Sequence, residues 1–194
     1  GHEGAGIVRE LGAGVTGLSV GDHVVMTNVT GCGKCRSCLT GRPGLCQAIT
    51  SSRVEGKIAT GARRLRLLDG SRLNHYSGLS VFAQYTVVVP DSIIRINKEV
   101  PFDVAAMLGC GVMTGAGAVF NSARVQPGTS VAVIGLGGVG LTAVMAAREA
   151  GASQIIGIDV LTSKFDLARA VGATHCLDAR DPTAVQQILD LTNG

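Results

Sequence analysis

The chain has 194 residues, of which 46% are hydrophobic and 16% charged, so it can bury a core and is not a disordered tail. Seventeen basic against fourteen acidic side chains leave a net charge of only +3, with four Phe, two Tyr and no Trp. So mild a charge and so few stacking rings make nucleic-acid binding a poor expectation.

The first half reads as short strands and loops. Gly6 to Val8, Val24 to Met26, Tyr85 to Val89 and Ile93 to Ile96 are apolar runs bounded by Gly, Asp or Pro, which predicts strands. Gly21-Asp22 is a turn feeding the second of them. Periodicity is weak from Gln47 to Ser80, so a long irregular excursion is expected there. Its basic stretch, Arg53 to Arg72, is interrupted by leucines and reads as a solvated loop.

After Pro101 the pattern changes. Asp103 is a plausible N-cap for a helix through Leu108, and a second small-residue helix is predicted over Thr114 to Ala123. Gln126-Pro127-Gly128 then turns into a strand at Ser130 to Ile134. Strands at Ile155 to Ile158 and Thr174 to Leu177 alternate with helices, the last opening at Asp181-Pro182 and stopping at Asn193-Gly194. Such alternation implies a parallel sheet.

Val104 to Ala123 and Val131 to Ala147 contain no charge, yet each carries four glycines and neither has flanking basic clusters. They are read as buried α/β segments rather than membrane spans. The N-terminus resembles neither a signal nor a transit peptide and lacks a starting Met, so the chain is expected to begin inside a longer protein.

The sharpest motif is Cys32-x2-Cys35-x2-Cys38-x7-Cys46. Thiolates are soft ligands, and four of them form the closed tetrahedron of a structural zinc site. Gly31, Gly33 and Gly41 supply backbone freedom for the tight turns. An iron–sulfur cluster is the competing occupant, because the spacing partly resembles a ferredoxin run. Free thiols are the third reading. The clustering argues against a secreted disulfide framework and for an intracellular, cytoplasmic protein.

G-x-G-x-x-G occurs twice. Gly12, Gly14 and Gly17 have no helix after them and read as turn glycines. Gly135, Gly137 and Gly140 follow the apolar strand directly, precede an Ala-rich helix and have Asp159 at the end of the next strand. That context is what dinucleotide binding requires: a tight turn, close approach of backbone to pyrophosphate, close helix packing and a carboxylate for the ribose. Asp159 favours NAD over its phosphorylated form.

Together these residues resemble the zinc-dependent medium-chain alcohol dehydrogenases. Gly1-His2-Glu3-Gly4-Ala5-Gly6 is similar to that family's zinc signature, and the four-Cys lobe follows at the expected distance. Leu108-Gly109-Cys110-Gly111-Val112 with Thr114-Gly115 resembles the segment carrying its second catalytic cysteine. Gly135, Gly137, Gly138, Val139 and Gly140, with Asp159, match its NAD site.

The resemblance implies an α/β architecture: a partial GroES-like β-barrel catalytic domain over residues 1–112, then an incomplete Rossmann dinucleotide-binding domain over 113–194. It implies a catalytic zinc with His2 and Cys110 as ligands and Glu3 just behind the metal. The family's first catalytic cysteine would lie upstream of Gly1, so the fragment itself is expected to be inactive. Thr114 and Val139 match positions lining the nicotinamide pocket, and Lys164 matches a lysine near the adenosine ribose. Asn28, Thr114 and Val112 are placed to shape the substrate pocket. His23, His75, His175 and Cys176 match no functional position and read as structural.

The expected activity is hydride transfer between a primary or benzylic alcohol, or its aldehyde, and NAD, in a homodimer or homotetramer that uses neither nucleic acid nor membrane. A thiol-dependent formaldehyde dehydrogenase of the glutathione type is the alternative. Such relatives tend to carry an arginine a few residues past the last lobe cysteine, where this chain has Thr50 and then Arg53. A nonenzymatic zinc-binding module is the reading from another class, and the dinucleotide motif stands against it.

Overall fold

The computed structural model describes residues 1–194, which fall into two compact units, Gly1–Cys110 and Gly111–Gly194. The first unit is built on an antiparallel sheet in the order β1 (Ala5–Ile7), β2 (His23–Met26), β3 (Ile93–Arg95). Ala5 pairs with Val25, and Val25 with Ile94. β2 is central because its β-branched Val24 and Val25 suit a pleated, buried position. The turn before it needs Gly21 at φ +91°, and Gly14 and Gly17 both stand at φ +79°, as turn glycines do.

Tyr85 to Val89 is not a strand. Neither β1 nor β3, the sheet's edges, hydrogen-bonds to it, and β-propensity without a partner does not make a ladder. The excursion from Gln47 to Ser80 is partly ordered. It opens with a helix, α2 (Gln47–Val54), after the short α1 (Arg36–Leu39), and holds a two-residue bridge between Arg66 and Arg72.

Residues 102–123 are helical throughout: α3 (Phe102–Met107), a π-type turn over Leu108–Val112, α4 (Met113–Gly117) and a second π-type turn over Ala118–Ala123. This run is long and apolar enough, by length and composition, to cross a membrane. Two of its glycines are packed against protein backbone: a Cβ on Gly109 would lie 2.0 Å from the Met26 carbonyl, and one on Gly115 would lie 2.5 Å from that of Val139. Asp103 is not the N-cap. Pro101, whose ring fixes φ near the helical value, holds that place at φ −59°, and Asp103 sits in the first turn accepting from the Val104 N–H.

The second unit is a parallel sheet, β4 (Ser130–Ile134), β5 (Gln154–Asp159) and β6 (His175–Asp178), in that spatial order. α5 (Gly138–Glu149), α6 (Phe165–Val171) and α7 (Ala184–Thr192) follow the strands in turn. This is the incomplete Rossmann arrangement the alternation predicts. Its core joins Val133, Leu136, Val144, Ala147, Ile155 and Ala168. β5 is the most deeply buried strand, because it has a neighbour on each side.

Candidate functional site

The sulfurs of Cys32, Cys35, Cys38 and Cys46 lie within 4.8 Å of one another. Cys35 Sγ is 3.5 Å from Cys38 Sγ and 3.8 Å from Cys46 Sγ. A tetrahedron with metal–sulfur bonds of about 2.3 Å has edges of about 3.8 Å, so the four thiols already have the spacing of one zinc ion. A four-iron cluster, which bonds each cysteine to a different iron, would hold the sulfurs further apart. Gly33 and Gly41 take φ +71° and +74°, whereas Gly31 is required for space, since its Cβ would lie 2.8 Å from Cys38 Sγ.

Backbone amides prepare the lobe for anionic sulfur. The Ile49 N–H, seconded by that of Cys32, brings the Cys46 thiol down to about 6. The Lys34 N–H lowers Cys32, while burial pushes Cys38 up to about 11. Without a cation, therefore, the cluster cannot hold four thiolates at neutral pH. With a divalent cation it can.

The two segments that carry His2 and Cys110 are both anchored to Met26, at the end of β2. The Met26 N–H donates to the Gly4 carbonyl at 2.8 Å, and the Gly1 carbonyl accepts from Val81 at 3.0 Å. His2 is held between these anchors, half-buried, with its ring 5.6 Å from that of Tyr76. On the other side, the Met26 carbonyl takes the close approach of Gly109, the residue before Cys110. The two backbone groups of Met26 thus touch both the segment that leads into β1 and the helical turn that holds Cys110. Glu3 is exposed beside His2. An imidazole and a thiol are two of the three protein ligands of a catalytic zinc. The sequence offers no signal for Met26, because its contribution is made by backbone.

In the second unit, Gly135 turns the chain at φ +92° after β4, and α5 begins at Gly138 with Gly137 as its cap. The first amides of α5 have no intrahelical acceptor and form an anion site. A Cβ on Gly137 would meet nothing within 4 Å, which leaves the backbone open to a phosphate. A Cβ on Gly140 would lie 1.8 Å from the Gly135 carbonyl, so this glycine is the close-packing one. The Gly115 contact brings α4, and with it the exposed Thr114, against Val139.

Asp159, only 6% exposed, ends β5. Its Oδ2 accepts from the Leu136 N–H at 2.7 Å and from Lys164 Nζ at 2.8 Å, and its Oδ1 from the Leu161 N–H at 2.9 Å. Lys164, with the two amides, holds the carboxyl down at about 2. The acid is thereby locked to the glycine turn itself. His23, against the Phe102 ring, and the buried His75, accepting from the Arg64 N–H, are packing residues.

A groove of about 1310 Å³ lies between residues 4–18 and 81–90 of the first unit; Gly4 and Met26 line it, and His2, Cys110 and the four lobe cysteines do not.

The family profile described as alcohol dehydrogenase GroES-like domain matches residues 1–98, and that described as zinc-binding dehydrogenase matches residues 138–194. The chain belongs to the zinc-dependent medium-chain alcohol dehydrogenases. Within this family it is 47% identical over 190 residues to an S-(hydroxymethyl)glutathione dehydrogenase of Synechocystis, across 97% of this chain and 51% of that one. It is 48% identical over 181 residues to the Escherichia coli protein of the same name, across 93% of this chain and 49% of that one. The chain spans about half the length of these curated relatives.

Among solved structures of zinc-dependent dehydrogenases, an alcohol dehydrogenase zinc-binding domain protein from Burkholderia ambifaria aligns over the whole chain and 52% of its own, at 42% identity and TM-score 0.92. Benzyl alcohol dehydrogenase from Acinetobacter calcoaceticus aligns over the whole chain and 52% of its own, at 38% identity and TM-score 0.84.

Proposed function

We propose that the intact protein transfers a hydride between a primary or benzylic alcohol, or its aldehyde, and NAD. The observation that carries this reading is Asp159. An acid kept ionised at the end of β5, and bonded through Leu136 to the glycine turn, is placed to accept both hydroxyls of an adenosine ribose. The same charge repels a 2′-phosphate, which selects NAD against its phosphorylated form.

In this reading Gly135, Gly137, Gly138, Val139 and Gly140 cradle the pyrophosphate, Lys164 borders the ribose, and Thr114 with Val139 lines the nicotinamide pocket. His2 and Cys110 hold the catalytic metal, and Glu3 stands beside it. Zinc, when bound there, supplies Lewis-acid polarisation of the substrate oxygen. The lobe of Cys32, Cys35, Cys38 and Cys46 holds a second zinc, closed to substrate and structural. Residues 1–112 serve the catalytic half and 113–194 the nucleotide half of a cytoplasmic homodimer or homotetramer, with Val112 and Asn28 shaping the substrate pocket.

A thiol-dependent formaldehyde dehydrogenase is the second reading, favoured by the name of the curated relatives. Thr50 has no charge for a thiol's carboxylates while Arg53, in the last turn of α2, is a half-buried cation, so these two positions favour neither reading. NADH formation by the full-length protein decides. Turnover of benzyl alcohol without added thiol supports the first reading. Turnover of formaldehyde only with glutathione replaces it with the second, and neither substrate reducing NAD rejects both.

A further inference from the structure

The nucleotide site has a neighbour that the glycine motif does not include. Asp159 and Asp178 stand opposite each other in register, at the carboxyl ends of the adjacent strands β5 and β6. The Ala179 N–H donates to the Asp159 carbonyl at 3.1 Å, so the turn after β6 is tied to the residue that ends β5. Arg180 projects from that turn. Its Nε donates to Asp178 Oδ1 at 3.0 Å and its Nη2 to Asp178 Oδ2 at 2.7 Å, a two-point fork that fixes the guanidinium plane. The Arg180 N–H adds a third bond to Oδ1, at 2.9 Å.

The turn continues rigidly. Asp181 accepts from the Thr183 N–H at 2.8 Å and from Gln187 Nε2 at 2.9 Å, which fastens it to the start of α7. Arg180 itself is largely exposed, since its side chain keeps 65% of its surface in solvent. A planar cation is thus held still, in water, with most of its charge answered by Asp178. It has a face to offer rather than a free charge.

The order of the strands says what that face would meet. Resting on the nucleotide reading above, pyrophosphate lies at the turn after β4 and ribose at Asp159 after β5. The base, which continues away from the pyrophosphate, reaches the next strand, about 4.8 Å further across the sheet. We infer that Arg180 binds the adenine of the cofactor by stacking its guanidinium plane on the ring, and that Asp178 is the residue that positions it. Val160, apolar and half-exposed directly after Asp159, borders the same space. A guanidinium held flat against an aromatic ring in partly wet surroundings contributes a modest but measurable attraction.

The test is calorimetric titration of the full-length protein with ADP-ribose and, separately, with inorganic pyrophosphate. Arg180→Ala is expected to weaken ADP-ribose about 3- to 10-fold, and to leave pyrophosphate unchanged. Arg180→Lys, which keeps the charge without the plane, is expected to remain weak. Asp178→Asn, which loosens the fork, should lie between. In steady-state assays Arg180→Ala should raise the KM for NAD and leave kcat alone.

Wild-type affinity in Arg180→Ala overturns the inference, and so does full recovery in Arg180→Lys, which would mean that charge alone matters. Equal weakening of pyrophosphate would make Arg180 a phosphate clamp and overturn it as well. Failure of the wild-type protein to bind ADP-ribose would instead remove the nucleotide reading on which the inference rests. Unchanged pyrophosphate binding also certifies that the variants are folded at the glycine turn.

Discussion

Asp159 shows how one side chain can tie three parts of a fold together. Its carboxylate closes the glycine turn through the Leu136 amide, closes its own turn through Leu161, and pairs with Lys164. With the folded-state value held at about 2 by Lys164 first and then by the two amides, and an unfolded value of about 3.9, the sign of the pH effect is set. The depressed group adds stability that is complete above the unfolded value and is lost as pH falls toward the folded one. The urea midpoint of the wild type should therefore fall between about pH 4 and pH 2, and the advantage over Asp159→Asn should shrink across that window. Asp178, also held at about 2 by Arg180, titrates in the same window and contributes equally to both proteins, which is why the difference is the quantity to measure. A constant gap from pH 5 to pH 2 would mean that the carboxylate does not stabilise the turn through its charge.

The element between β4 and α5 separates two kinds of glycine. Gly137→Ala places a methyl in open space, so the fold should keep its melting temperature while NAD binding is lost to the obstructed phosphate position. Gly140→Ala places the same methyl 1.8 Å from the Gly135 carbonyl, where only backbone movement can make room. Overpacking of this kind costs roughly 1–3 kcal/mol, so the melting temperature itself should fall. Thermal melts of the two variants beside NAD titrations check both. A stable Gly140→Ala that still binds NAD would contradict the packing role.

Sequence and structure agree at this element for a physical reason: strand, turn and helix are local, and each glycine leaves a mark on spacing. Agreement weakens where the determinant is a partner. Tyr85 to Val89 has the composition of a strand and no ladder, because pairing is not a property of the segment. The four cysteines were readable from spacing alone. The anchoring of the His2 and Cys110 segments to one residue was not, since it depends on the backbone of Met26, whose side chain carries no message. Arg180 escaped for a similar cause. Only the pairing of β5 with β6 brings its partner, Asp178, beside Asp159.

At the scale of the molecule, the two units depend on different forces. The second is held by a contiguous apolar core running from Val133 through Val144 to Ala168. The cysteine lobe has almost none: α1 buries no residue and α2 buries only Ile49, so neither short helix has enough apolar contact to persist by itself. What gathers these segments is the set of sulfurs, and those must be anionic at once, which requires the metal. Zinc removal by a thiol-blocking reagent should therefore release the lobe and spare the nucleotide unit. Amide hydrogen exchange over residues 30–55 should rise by orders of magnitude, and trypsin should cut at Lys34, Arg36 and Arg53. The amides of β5 should keep their protection, because the strand is paired with β4 on one side and with β6 on the other. Loss of protection in β5 together with the lobe would show that the two units unfold as one, and that the metal stabilises far more than the residues it touches.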